Sequence, residues 1–221
     1  KYANENNIKI IGDIPIFVSL DSSDAWANPE LFLFDKDRNP VKVAGVPPDY
    51  FSVTGQLWGN PLYDWAYLEK TNFEWWIKRI QMNFEISDFV RIDHFRGFEA
   101  YWAVPSDEET AINGEWIKCP GKKMFEKKKK KLGKTAIIAE DLGIITPEVD
   151  DLRDSFNFPG MKILQFAFNP NEDNPYLPHN HIKNCVIYTG THDNNTTLGW
   201  YQNLSIEGKN FIKNYLKLDS E

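Results

Sequence analysis

Apolar residues in this chain follow two rhythms, short continuous runs and helical stripes, and their alternation predicts the architecture. Ile8-Lys9-Ile10-Ile11-Gly12-Asp13-Ile14-Pro15-Ile16-Phe17-Val18 is rich in β-branched residues and predicts a parallel strand buried on both faces, broken near its end by Gly12 and Pro15. Periodicity then lapses from residue 19 to about 64. Pro29, Pro40, Pro47, Pro48 and Pro61 with Gly45, Gly55 and Gly59 predict a long loop-rich insert there. Asp35 to Pro40 reads as a hairpin turn between Leu31–Phe34 and Val41–Val43. Trp65, Leu68, Phe73, Trp76, Ile77, Ile80 and Phe84, at spacings of three and four, predict an amphipathic helix, or two broken near Thr71-Asn72 with an N-cap there.

Phe89 to Phe95 predicts a second strand, and Phe98 to Trp102 is aromatic without a clear period. Pro105 to Glu109 reads as a polar turn or short helix start, and Trp116 to Gly121 as an ordered connection. Lys122–Leu132 predicts a helix with Met124, Phe125 and Leu132 inward, and its five consecutive lysines, Lys127 to Lys131, a solvated outer face. Thr135–Ala139 predicts a strand, and Thr146-Pro147-Glu148 a helix start with Thr at N-cap and Pro at N1. Met161–Phe168 and Cys185–Gly190 predict two more strands around a loop from Asn169 to Asn180, and a helical tail carries Phe211, Ile212, Tyr215 and Leu216.

Strands alternating with helices predict an α/β protein, either a barrel or an open doubly wound sheet. No glycine-rich phosphate loop follows the first strand, which weakens the dinucleotide-binding version. The 221 residues suffice for one large core. A net charge of −7 argues against nucleic acid or an anionic membrane as partner, and no apolar run approaches a membrane span. Cys119 and Cys185 read as free thiols, not a disulfide or zinc scaffold. Lys1 to Glu5 does not read as a signal peptide. With no initiator Met and a strand so near its start, the chain reads as part of a longer protein. Aromatic residues make up 14% of it, with eight Trp, a composition that suits sugar stacking as well as core filling.

The candidate chemistry sits where the predicted strands end. In Phe89-Val90-Arg91-Ile92-Asp93-His94-Phe95-Arg96-Gly97 the strand period of two puts Arg91 and Asp93 on one face. Glu140 and Asp193 end two later strands, and Asp13 lies near the end of the first. In a barrel such ends converge on one rim. Convergent carboxylates without a Cys or His cluster suit oxygen-ligated metal binding or glycosyl transfer by a carboxylate pair. Arg91 beside Asp93, and His192 beside Asp193, would compete with a cation and favour the second. A structural Arg–Asp pair and a turn carboxylate at Asp13 are the plainer readings.

Arg91-Ile92-Asp93-His94-Phe95-Arg96-Gly97, Ala139-Glu140-Asp141-Leu142-Gly143 and Thr189-Gly190-Thr191-His192-Asp193-Asn194 resemble the strand-four, strand-five and strand-seven motifs of the amylomaltases. These are the 4-α-glucanotransferases, or disproportionating enzymes, of glycoside hydrolase family 77 in the α-amylase clan. Gly12 to Val18 resembles their strand-three motif, and Gly45 to Ser52 with Gly55-Gln56 is similar to a loop peculiar to them. The resemblance implies a partial (β/α)8 TIM barrel spanning residues 1–221, with strands three to seven present and one, two and eight absent, and an inserted subdomain at about 19–64.

It further implies Asp93 as nucleophile, Glu140 as acid and base, and Asp193 with His192 gripping the reacting glucose. Arg91 should keep Asp93 ionised, while Asp93 and Asp193 should keep Glu140 protonated. Tyr50, Phe51 and Trp58 are expected to wall the acceptor side and exclude water, with Asp13 and Arg96 as supports and the role of His94 open. Partners implied are α-1,4-glucan and malto-oligosaccharide donors and acceptors, with no metal, cofactor, nucleic acid or membrane. A monomer is expected, in the cytoplasm, or in a plastid if a transit peptide lies upstream of Lys1. The rivals are a glucan hydrolase or branching enzyme of the same clan, an inactive glucan-binding fragment, and a metal-dependent barrel hydrolase.

Overall fold

The computed structural model describes residues 1–49, 52–168 and 174–218. Nine strands occur among them: β1 (Ile11–Pro15), β2 (Lys42–Val46), β3 (Gln56–Pro61), β4 (Phe89–Asp93), β5 (Ala100–Pro105), β6 (Glu115–Lys118), β7 (Ile137–Ala139), β8 (Gly160–Ile163) and β9 (Cys185–Tyr188). The eight helices are α1 (Tyr2–Glu5), α2 (Ser23–Ala27), α3 (Trp65–Lys70), α4 (Glu74–Ile86), α5 (Gly121–Leu132), α6 (Pro147–Ser155), α7 (Thr197–Asn203) and α8 (Ile206–Leu216). They divide into two units, Lys1–Phe158 and Pro159–Glu221. None of the helices is long and apolar enough to cross a membrane.

The first unit is built on a parallel sheet in the order β1-β4-β7. Asp13 pairs in register with Arg91 and Pro15 with Asp93, while Arg91 also faces Ile138. Adjacent strands in register present the same face, so Asp13, Arg91 and Asp93 share one side. The other side is apolar. Ile14, Val90, Ile92, Ile137 and Ala139 are buried against Trp76, Ile77 and Ile80 of α4, Met124 and Phe125 of α5, and Val149 and Leu152 of α6. These strands are therefore not apolar on both faces, as the continuous run at 8–18 predicts. Ile8, Ile10 and Ile11 are exposed, and the strand itself is only Ile11–Pro15.

The break at Thr71 is real, but its chemistry differs from the expected N-cap. Thr71 closes α3, its hydroxyl donating to the carbonyls of Tyr67 and Leu68, and α4 starts from Phe73 in a left-handed conformation (φ 56°). The lysine run is mostly exposed, as expected, with one exception. Lys128 turns inward, donates to the Thr135 hydroxyl and lies over the Phe158 ring, so burial lowers its pKa to about 8. It falls four residues after Met124 on the inner stripe of α5, and helical period outweighs its charge.

Residues 19–64 are less loop-like than their Pro and Gly content predicts. Asp35 accepts from the amides of Asp37 and Asn39 and makes the expected turn, which Phe34 and Pro40 close by a single bridge. Lys42–Val46 instead enters a four-stranded antiparallel sheet, ordered β3-β2-β5-β6. Its other half is the aromatic run after Phe98 and the supposed connection at Trp116, both of them strands. Val43, Val104 and Ala111 form a small core there with Trp102 against it, too short an apolar set to announce itself in sequence.

The second unit holds the parallel pair β8-β9, with Ile163 opposite Tyr188. Met161–Phe168 is a strand only to Ile163, and a 3-10 turn follows at Leu164–Phe166. Thr196 and Ser205 cap α7 and α8 through their side chains, and Phe168 packs edge-on to Tyr215 of α8.

Candidate active site

At the C-terminal end of the first unit's sheet, one guanidinium binds two acids. Arg91 donates through Nε and Nη2 to both oxygens of Asp13, at 3.1 and 2.7 Å. Its Nη1 lies 2.9 Å from Asp93 Oδ1. The arginine side chain is only 13% exposed, whereas the two carboxylates are nearly half open to solvent. A bidentate fork with a third nitrogen to spare fixes both acids at defined angles.

Glu140 follows β7 and is locked to the neighbouring strand end by its backbone. Its amide donates to the Ile92 carbonyl, and its own carbonyl accepts from Phe95. Its carboxyl accepts from two main-chain amides, His94 N–H to Oε2 at 2.7 Å and Leu142 N–H to Oε1 at 3.0 Å. Burial first and the charge of Asp93 second raise its pKa to about 7, against the two amides and Arg91, which pull it down. The site thus holds two carboxylates bound to one cation and one carboxyl poised to carry a proton near neutral pH.

The turn after Asp93 is tight. His94 adopts φ 53°, unusual for a residue with a side chain, and a Cβ on Gly97 would come within 2.5 Å of Ile16 and 3.3 Å of the His94 ring. His94 is kept neutral, its pKa pushed down to about 3 by burial and by Arg96. Its ring packs edge-on to Trp58, centroids 4.8 Å apart, so the insert brings Trp58 to this site. Trp58 Nε1 donates to Gln56, which orients the indole. Arg96 is buried, stacks over the Trp116 ring at 3.9 Å and donates to the carbonyl of Ile144. It ties the loop after Glu140 to the antiparallel sheet. Tyr50 and Phe51, the other two wall residues expected, lie outside the described residues.

Asp193 and His192 belong to the second unit, just past β9. The two are 3.4 Å apart, and both are largely exposed, at 79% and 72%. The turn that carries them is held by Asn194, whose side-chain oxygen accepts from the amide and hydroxyl of Thr191, and by Thr191 accepting from the Asp193 amide.

A family model described as 4-alpha-glucanotransferase, glycoside hydrolase family 77, matches residues 1–221. The chain belongs to the 4-alpha-glucanotransferase family. It is 59% identical over 222 residues to the 4-alpha-glucanotransferase of Clostridium butyricum, covering all of this chain and 46% of that protein. It is 58% identical over 218 residues to the 4-alpha-glucanotransferase of a Synechocystis strain, covering 97% of this chain and 43% of that protein. The amylomaltase of Streptococcus agalactiae in complex with acarbose superposes with a TM-score of 0.95 at 47% identity, over all of this chain and 45% of that one. The chain thus spans less than half the length of these 4-alpha-glucanotransferases, and it shares their α/β fold.

Sequence reasoning singled out the acids and Arg91 but did not anticipate what holds Glu140. The two amide donors come from main chain, and Asp141, buried against Arg153, lies next to one of them. The one signal available was the Glu-Asp-Leu-Gly run, in which Gly143 has φ 84° and lets the loop turn.

Proposed function

We propose that this chain is the part of a 4-α-glucanotransferase that carries its catalytic acids, moving α-1,4-glucan segments between malto-oligosaccharides with retention at the anomeric carbon. The observation that carries the reading is the contrast between Asp93, ion-paired to Arg91, and Glu140, held near pKa 7 beside it. Asp93 attacks the anomeric carbon while Glu140 gives its proton to the departing glycosidic oxygen. A β-linked glucosyl-enzyme results, and a free glucan chain leaves. Glu140, now a carboxylate, takes the proton of the acceptor's 4-hydroxyl as that oxygen displaces Asp93. The two inversions give net retention.

In this reading the chain supplies strands three to seven of an eight-stranded barrel, with an insert at about 19–64. Asp193 and His192 grip the hydroxyls of the reacting glucose as positive charge develops on its ring. Trp58, with Tyr50 and Phe51, covers the acceptor side, so that a sugar hydroxyl reaches the intermediate before water. Asp13 acts by holding Arg91. The enzyme works as a monomer without metal or cofactor, in the cytoplasm or a plastid. The family match and the acarbose complex of the Streptococcus agalactiae relative support the carbohydrate substrate.

The test uses the full-length protein on maltotriose. Disproportionation yields glucose and longer chains, and both Asp93→Asn and Glu140→Gln should abolish it. A wild-type product mixture of glucose and maltose alone would point to a hydrolase instead. An experimental structure placing the Asp93 and Glu140 carboxyls beyond about 6.5 Å would replace retention by inversion.

A further inference from the structure

A buried ion pair lies next in the chain to the second amide that Glu140 accepts from. Arg153, on the last turn of α6, reaches Asp141 Oδ2 through Nη1 at 2.5 Å, and the two side chains are 7% and 3% exposed. Arg153 also binds Asp150 at 2.8 Å and Asp154 at 2.9 Å, both on its own helix and both far more exposed. Asp141 lies between Glu140 and Leu142. Its side chain is anchored to α6, and the peptide that follows it carries the Leu142 N–H that donates to Glu140 Oε1. The far end of the same loop is held by Arg96 on the Ile144 carbonyl.

We propose that Asp141 and Arg153 are positioning residues for Glu140, a buried clamp that keeps the Leu142 amide aimed at its carboxyl. The inference rests on the proposed role of Glu140 as proton donor. A pair kept for stability alone would be an odd choice, because a buried ion pair is often matched or bettered by apolar residues of similar volume. What an apolar pair cannot do is fix an amide direction to within hydrogen-bond tolerance.

The groups facing Glu140 are Asp93 and Arg91 from β4 and the two amides of His94 and Leu142. Of these, the Leu142 amide is the one the clamp controls. That amide favours the carboxylate form, so its loss leaves Glu140 protonated to higher pH.

The experiment measures the pH dependence of kcat and KM for maltotriose disproportionation by the full-length protein. It compares wild type, Glu140→Gln, Asp141→Asn and the double variant Asp141→Leu/Arg153→Met. The double variant removes both charges at once and keeps the site filled should the single variant fail to fold. The clamp predicts that both clamp variants lose about tenfold in kcat with KM within about twofold. Their basic limb should move up by about one pH unit, the size of one hydrogen bond to a charged group. A double variant with the wild-type profile would show that the pair only fills space, and the proposal would fall. An inactive Glu140→Gln with an unmoved limb in the clamp variants overturns the clamp alone. An active Glu140→Gln overturns the role of Glu140 and the clamp with it.

Discussion

His94 stands edge-on to Trp58, ring centroids 4.8 Å apart at 84°. The contact joins the turn that follows Asp93 to a strand of the inserted antiparallel sheet, 36 positions earlier in the chain (94 − 58). Because burial and Arg96 keep the imidazole neutral, it works here as a rigid apolar edge, not as a charge. The indole is 37% exposed, so one side braces His94 while the rest remains free to meet a sugar.

Replacing Trp58 should therefore change the fate of the glucosyl-enzyme more than its formation. In the full-length protein, Trp58→Ala should raise the ratio of hydrolysis to transfer severalfold on maltotriose, and Trp58→Phe should restore most of the wild-type ratio. Chromatography of the products over time measures both. An unchanged ratio in Trp58→Ala would remove the indole from the acceptor wall.

Glu140 ties activity and stability to pH in the same direction, both falling as pH rises through neutrality. With a pKa near 7 it loses its proton as pH rises through neutrality, so the glycosyl-forming step should fade on the alkaline side. Its folded-state pKa lies above the unfolded value of 4.5, so the folded protein binds the extra proton between these limits. The stabilisation this gives is complete below about pH 4.5 and is lost as pH rises through about 7. Glu140→Gln should accordingly gain on wild type in thermal melts between pH 5 and pH 8, by about 2–3 kcal/mol. Equal differences at the two pH values would mean that the carboxyl is not held as described. His94, neutral throughout, should add no limb near pH 6.5.

The parts of this site that sequence made legible are those encoded by period and by strand ends. The step of two from Arg91 to Asp93, with Val90 and Ile92 between and before them, announces a strand with one apolar and one polar face. Glu140 follows a three-residue buried run in the same way. The antiparallel sheet was not legible, because the pairing that joins its two halves runs between residues 42–45 and 102–105, far apart in the chain, and neither segment alternates cleanly. Trp58 could be suspected from composition, but its reach to His94 depends on that unseen sheet. The amide donors of Glu140 carry no sequence identity at all, since any residue at 94 or 142 other than proline supplies one.

Arg91 is the hinge of the polar face, and lysine cannot replace it. Three of its nitrogens are committed in one plane, two to Asp13 and one to Asp93. A lysine has one ammonium on a flexible stem and would satisfy only one acid at a time. Arg91→Lys should lower kcat/KM by about 100-fold, mostly through kcat, since the loss falls on the angle of the nucleophile and not on substrate contacts. Asp13→Asn keeps the contact but loses charge, and should cost about tenfold or less. A larger loss from Asp13→Asn than from Arg91→Lys would make Asp13 a direct participant.

A last prediction concerns the frame that carries these side chains. Gly121 starts α5 directly against the chain at Phe98, and a Cβ there would meet the Phe98 carbonyl oxygen at 2.1 Å and its carbon at 2.8 Å. Those are backbone atoms, held on one side by the 3-10 turn at Phe95–Phe98 and on the other by the strand that starts at Ala100, so neither can swing away. Helix propensity alone would make alanine the better residue at this position by up to about 1 kcal/mol. The clash should reverse that sign. Phe98 packs against Phe125 and Trp76, with ring centroids 5.0 and 4.9 Å apart, so moving its backbone also disturbs α4 and α5. Gly121→Ala should destabilise the full-length protein by about 2 kcal/mol or more in urea titration, within the range of overpacked cores. At a control position, Gly133, no atom lies within 4 Å of an added Cβ, so the penalty for alanine should come only from its backbone φ of 70°. If Gly121→Ala proved as stable as wild type, the close approach of α5 to Phe98 would be wrong, and with it the packing that sets β4 and β7 beneath the acids.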